Sequence, residues 1–189
     1  MSEQQLYGEI YHYKEQLSET TTRFWNQYSG PDTWYFWFNL AAILLPLLYL
    51  YFKVDKRRLF EISFYGYTAH VLWSNADYIL SSYNLLAHPH SLLQAVPGGI
   101  SVTAVIFPVT FMLLYQYCTN KSKNFYLYGI VASMIFAYGF GYISKVLGLL
   151  KMHNGMNLTF LFLIDIAVAF ISLWATRLFL KIKSKSQGE

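Results

Sequence analysis

Asp77, Lys145 and Asp165 stand inside long apolar stretches of this sequence, and His70 accompanies them. An ionisable side chain at membrane depth is costly unless paired or wet, so such positions mark structural ion pairs or sites for ions, protons and polar ligands. Around His70, the residues Ser63, Tyr67, His70, Ser74, Asp77 and Ser81 recur at spacings of three and four, along one side of a helix. Lipid offers no hydrogen-bond partner, so this stripe must face other helices or water. His70 and Asp77 lie two turns apart, and contact between them would need Ser74 or a water as a bridge. Asp77, Lys145 and Asp165 each fall about five to eight residues in from the same end of their segments, roughly 8 to 12 Å deep at 1.5 Å per residue. Two readings of this shared level are open. One is a set of buried ion pairs that fix helix register, with Lys145 alternatively reaching the headgroups. The other is a cavity in which Asp77, Asp165, Lys145 and His70, with Ser74 and Tyr67 on the stripe, bind a cation, a proton or a small polar ligand.

Other chemistries find less support. The chain has no GxSxG, HExxH or Walker loop, and its carboxylate and histidine spacings match no hydrolase, so no catalytic residue is assigned. His88 and His90 lie in the longest connection with no carboxylate or cysteine beside them in sequence, too few ligands to assign a metal. A single Cys118 excludes an internal disulfide and a thiolate zinc set. No cofactor is implied. Gly129, Ser133, Ala137 and Gly141 recur every four residues, a small-residue ridge that lets another helix approach closely.

The elements that must position these groups are legible as five long apolar segments, at about 34–52, 59–83, 99–118, 125–150 and 158–180. Each is long enough to cross roughly 30 Å of hydrocarbon as a helix, and Pro108 inside the third is tolerable there as a kink. Composition agrees: 55% of the 189 residues are hydrophobic and 13% charged, against about 25% charged in a soluble domain. Residues 1–31 are polar and acidic and lack the basic start and short apolar core of a cleavable signal. Leu6, Ile10, Tyr13, Leu17, Phe24 and Tyr28 nevertheless share one side of a helix, so an amphipathic helix is expected before the break at Ser29, Gly30 and Pro31. Lys53, Lys56, Arg57, Arg58, Lys121, Lys123, Arg177, Lys181, Lys183 and Lys185 fall on one side of such a bundle. The positive-inside rule makes that side cytoplasmic and the N-terminal helix extracytoplasmic. Glu61 is expected to pair with Arg57 or Arg58. The basic residues form short clusters and no continuous face, which argues against nucleic acid as a partner.

The fold class expected is therefore all-α: a polytopic transmembrane bundle of five helices over 32–181, with an extracytoplasmic amphipathic helix over 1–31 and a basic tail over 182–189. The strings Tyr28-Ser29, Asp32-Thr33-Trp34-Tyr35-Phe36-Trp37, Phe64-Tyr65-Gly66 with His70 and Asp77, Pro108-Val109 with Met112 and Tyr115-Gln116, and Lys123-Asn124-Phe125-Tyr126-Leu127-Tyr128 are similar to segments of a known family. It is a multi-pass membrane protein family of endospore-forming Gram-positive bacteria for which no biochemical activity is established. The resemblance runs from about residue 28 to 157. The chain departs from it at Leu85-Leu86-Ala87-His88-Pro89, where the family has an aromatic-aliphatic-Tyr-Pro stretch. It departs again at Gly141-Tyr142, where the family has Lys-Pro in the fourth helix, a lysine that Lys145 would replace by a shift. The resemblance implies a bacterial plasma or spore membrane and supplies no activity. The expected function is a non-enzymatic membrane component, linked to sporulation or germination, whose outer helix and small-residue ridge dock a membrane partner or a second copy. The alternatives are a small transporter or channel using the polar cluster and, third, an intramembrane enzyme.

Overall fold

The computed structural model describes residues 1–94 and 99–186 and is all-α apart from one short strand pair. Helix α1 spans Glu3–Tyr28, α2 Trp34–Lys53, α3 Leu59–Ser82, α4 Ser101–Asn120, α5 Phe125–Val146 and α6 Leu158–Ser186. Local chemistry sets these limits. Ser2 and Gln5 form a capping box at α1, Asp55 accepts from the Arg57 N–H before α3, and Asn124 accepts from the Tyr126 N–H at α5. Gly148 and Gly155 adopt left-handed backbone, φ 78° and 81°, between α5 and α6, where a side chain would be strained. The last helix runs on to Ser186, so Lys183 and Lys185 extend α6 and do not form a separate tail. The remaining tail residues, 187–189, lie outside the described residues.

Four helices, α2, α4, α5 and α6, are long and apolar enough to cross a membrane. The sequence reading of five rests on α3, whose 24 residues extend about 36 Å. Its polar stripe keeps it below the apolarity of the other four, and its position explains why it can be so. It packs against both α4 and α6, burying Ile62, Tyr65, Gly66, Ala69, Trp73 and Asp77. Tyr65 stacks on Tyr115 at 4.8 Å and donates to the Ala169 carbonyl, tying α3 to α4 and α6 at once. Gly66 lets the Met112 side chain of α4 pack directly on the α3 backbone, where a Cβ would push that side chain aside. α5 closes the bundle against α4 and α6, while α2 lies at its edge, where only Asn39 is buried. Outward faces are apolar: Leu45 on α2 is 64% exposed and Phe60 on α3 92%. Apolar surface this continuous is what a lipid solvent demands and water penalises.

Two helices are locally widened into π geometry, α4 over Ser101–Ile106 and α5 over Ile135–Gly141. In α4 the widening ends just before Pro108, whose ring cannot fit the carbonyl four residues back in a regular turn. In α5 it contains Gly139 and Gly141, which hold the backbone least firmly to α geometry. The connections sort to two ends. Arg58, next to the basic cluster, pairs with Glu61 and donates to Thr119 Oγ1 at 2.9 Å and Asn120 Oδ1 at 2.5 Å, joining the α2–α3 turn to the end of α4. At the opposite end, strand β1, Leu86–Ala87, pairs antiparallel with β2, Lys151–Met152, clasping the α3–α4 connection to the α5–α6 connection.

Candidate binding cavity

Below the β1–β2 clasp lies a cavity of about 50 Å³ between α2, α3, the π segments of α4 and α5, and α6. Both widened segments line it, through Ser101, Val102, Thr103 and Ile106 on one side and Phe136, Ala137, Phe140 and Gly141 on the other. Wider turns move side chains off the regular helical register and open space that α geometry would close, which is why such segments collect at functional sites.

Two carboxyl groups reach this cavity from different helices. Asp77, on the buried face of α3, lies 2.8 Å from His88 Nε2, which donates to its Oδ1. Asp165, on α6, is 1% exposed and accepts from Trp73 Nε1–H at 2.7 Å, while its Oδ2 has no hydrogen-bond partner among the described residues. Trp73 and Asp77 are one turn apart on α3, so a single helix face presents one carboxyl and the donor that holds the other. Gly99 closes on the Asp77–His88 pair so tightly that a Cβ there would stand 2.7 Å from His88 Nε2 and 3.0 Å from Asp77 Oδ2.

Asn39 organises the α2 side. Its amide donates to the Tyr35 and His90 carbonyls, each at 3.0 Å, and its Oδ1 accepts from Ser101 Oγ at 2.8 Å. His90 stacks on Tyr35 at 3.5 Å and shares a hydrogen bond of 2.9 Å with Ser29 Oγ, so the ring that lines the cavity also anchors the end of α1. Burial holds the His90 imidazole below its ordinary range; a hydrogen bond to the Tyr28 backbone opposes this, and the Lys151 charge adds to it. Trp25 completes the anchor, donating from its indole to the Ser91 carbonyl at 3.1 Å.

Of the residues singled out in the sequence, Asp77 and Asp165 meet at the cavity. The others part from them. Lys145 is exposed and makes no ion pair with either aspartate, because it follows Ser144 on α5 and it is Ser144 that turns inward. His70 does not bridge to Asp77 through Ser74: its Nδ1 donates to the Thr103 carbonyl at 3.2 Å and lies 3.1 Å from Ser74 Oγ, satisfied beside the cavity and outside its lining. Tyr67 is 67% exposed, since the polar stripe runs along the edge of the buried face and only its Asp77 end turns fully inside. The ridge of Gly129, Ser133, Ala137 and Gly141 is buried within the chain. Leu158, Leu161 and Phe170 of α6 stand over its glycines, so it is not free to dock a partner. His88 and His90 do not converge as metal ligands, each ring nitrogen with a partner being committed elsewhere.

Trp73, Asn39, Ser101 and His88 were not picked out as site residues. The signal for His88 was a histidine in the one long connection on the same side as the Asp77 end of its helix. No local pattern marks Asn39, which looks like one polar residue in an apolar span. Chemically, the arrangement offers carboxyl oxygens against aromatic walls. Among the described residues, the hydrogen-bond partner of the His88 ring is the Asp77 carboxyl. Comparison with protein-family models, with characterised proteins and with solved structures finds no match to this chain, and the reading of the site rests on its geometry.

Proposed function

We propose that this chain is an integral plasma-membrane protein that crosses the bilayer five times, through α2 to α6, and binds a small polar or charged ligand in its outer half. In this reading α1 lies outside and the end of α6 in the cytoplasm. The distribution of basic residues supports that orientation, as the Arg58 end carries the clustered cationic turns and the β1–β2 end isolated lysines such as Lys145 and Lys151. α3 serves as the fifth span because α4 and α6 shield its polar side from lipid. The ligand-binding role rests on one observation above the rest: a carboxyl group on α6, 1% exposed, whose second oxygen, beside a cavity, has no partner among the described residues. A buried carboxyl left so costs stability, and such cost is retained where a site needs it.

Water access tests this directly. In a Cys118→Ser background, Ser144→Cys places a thiol on the cavity lining. A small thiol reagent that cannot cross membranes should modify it when added outside intact cells. No modification from outside, with the protein folded and inserted, sinks the reading. α1 supports a second role, in docking. Leu6, Tyr13 and Leu17 are between 52% and 66% exposed on one side of a helix whose bonds to the bundle, among the described residues, fall near its end, at Thr22, Trp25 and Ser29. A photo-crosslinker at Leu17 that captures neither a second copy nor a membrane partner in cells would remove that role.

A further inference from the structure

The chemistry of the lining narrows what the cavity holds, given the binding role proposed above. We infer that its ligand is a compact organic ammonium ion. Among the described residues, the lining carries the carboxyl groups of Asp77 and Asp165 and contains no Lys or Arg. His88 is committed to Asp77, which leaves Asp165 with only the Trp73 N–H beside it. A desolvated carboxyl ionises only beside a positive counter-charge, and the protein supplies none at this position, so a bound cation would provide the missing charge. An anionic ligand would meet no cationic side chain there.

The walls then decide between kinds of cation. An inorganic ion stripped of water requires several oxygen or nitrogen ligands converging at short distance. No three His, Cys, Asp or Glu side chains converge anywhere among the described residues. Instead Phe38, Trp73, Phe136 and Phe140 come to the cavity from three helices, with Phe136 and Phe140 5.1 Å apart and inclined by 30°. Aromatic faces attract a cation that is itself partly apolar, and they do so most strongly where water is excluded. One carboxylate at a point and rings around it suit a nitrogen carrying small alkyl groups: the charge faces Asp165 and the carbon surface faces the rings.

The thiol introduced by Ser144→Cys reports occupancy. Three arms are measured on the purified full-length protein: methylammonium and tetramethylammonium, then sodium and potassium, then glycerol, each tested for slowing modification by a neutral thiol reagent. A cationic and an anionic methanethiosulfonate are compared as well, each rate divided by that on a free thiol. The ammonium ions should protect, with the inorganic ions and glycerol at least about tenfold weaker, the loss expected for one charge-assisted contact. The cationic reagent should outpace the anionic one by a similar factor, and Asp165→Asn should remove both preferences. If the thiol reacts but the inorganic or neutral probes protect as well as ammonium, or no ammonium protects, the ligand class is wrong while the water-accessible site stands. If the thiol does not react at all, the binding reading fails with it. The wild-type Asp165 measurements decide even where Asp165→Asn fails to fold.

Discussion

Replacing Trp73 by Phe keeps an aromatic ring against Phe107, 6.1 Å away edge-to-face, and removes the one hydrogen bond that Asp165 accepts. Two effects follow, and they are separable. The smaller ring gives up part of its packing, worth about 1 kcal/mol for a partial truncation in a packed core. The lost hydrogen bond adds a second cost. Interhelical hydrogen bonds in membrane proteins average about 0.6 kcal/mol and reach about 1.7. For a donor and acceptor 2.7 Å apart with the carboxyl 1% exposed, the upper part of that range applies. Trp73→Phe should therefore cost about 2 to 2.7 kcal/mol in the wild-type chain, read from unfolding in mixed detergent micelles. In an Asp165→Leu background the acceptor is gone, and the same change should cost only the packing share, about 1 kcal/mol. The coupling of about 1 to 1.7 kcal/mol corresponds to a shift of roughly 5- to 18-fold in the folding equilibrium. A coupling within about 0.5 kcal/mol of zero would refute the claim that this bond organises the cavity.

Three further outcomes are expected. Gly99→Ala should separate Asp77 from His88, because its methyl would stand 2.7 Å from His88 Nε2; a loss of about 1 to 3 kcal/mol in thermal unfolding is expected, whereas Gly8→Ala, with open space around it, should cost nothing. The anchoring of α1 should weaken in acid. The His90 value is lower in the folded chain than its ordinary one of about 6.5, so the stability it contributes is present above that pH and falls away as the pH drops towards the folded-state value. Protease cleavage between α1 and α2 should accordingly rise from about pH 7.5 to about pH 5 in the wild type and not in His90→Gln. Arg58→Lys should loosen the join between the α2–α3 turn and α4, since an ammonium cannot fork to Glu61, Thr119 and Asn120 together; with Arg58 partly exposed the cost should be about 1 kcal/mol, seen as faster hydrogen exchange at the end of α4.

The helices were legible because their causes are local. Runs of apolar residues, the Asp55 and Asn124 caps and the breaks at Gly30-Pro31 and Gly155 each act within a few residues, and they set α2 to α6 close to where the structure has them. Counting residues from a helix end put Asp77, Lys145 and Asp165 at one level, and two of the three, Asp77 and Asp165, line one cavity. Rotation about the helix axis was not legible. Which of Ser144 and Lys145 turns inward depends on a π segment in α5, and the insertion of one wider turn resets every side chain after it. Whether the Gly129–Gly141 ridge meets α6 or another chain is likewise a question of packing, because a groove of small residues fits either. His88 and Trp73 became partners of Asp77 and Asp165 only when a loop folded back under the β1–β2 clasp and α3 came to lie against α6. Sequence by itself determined which segments are helices, through interactions spanning a few residues; tertiary structure alone decided which carboxyl meets which donor, because those contacts join positions 11 and 92 residues apart.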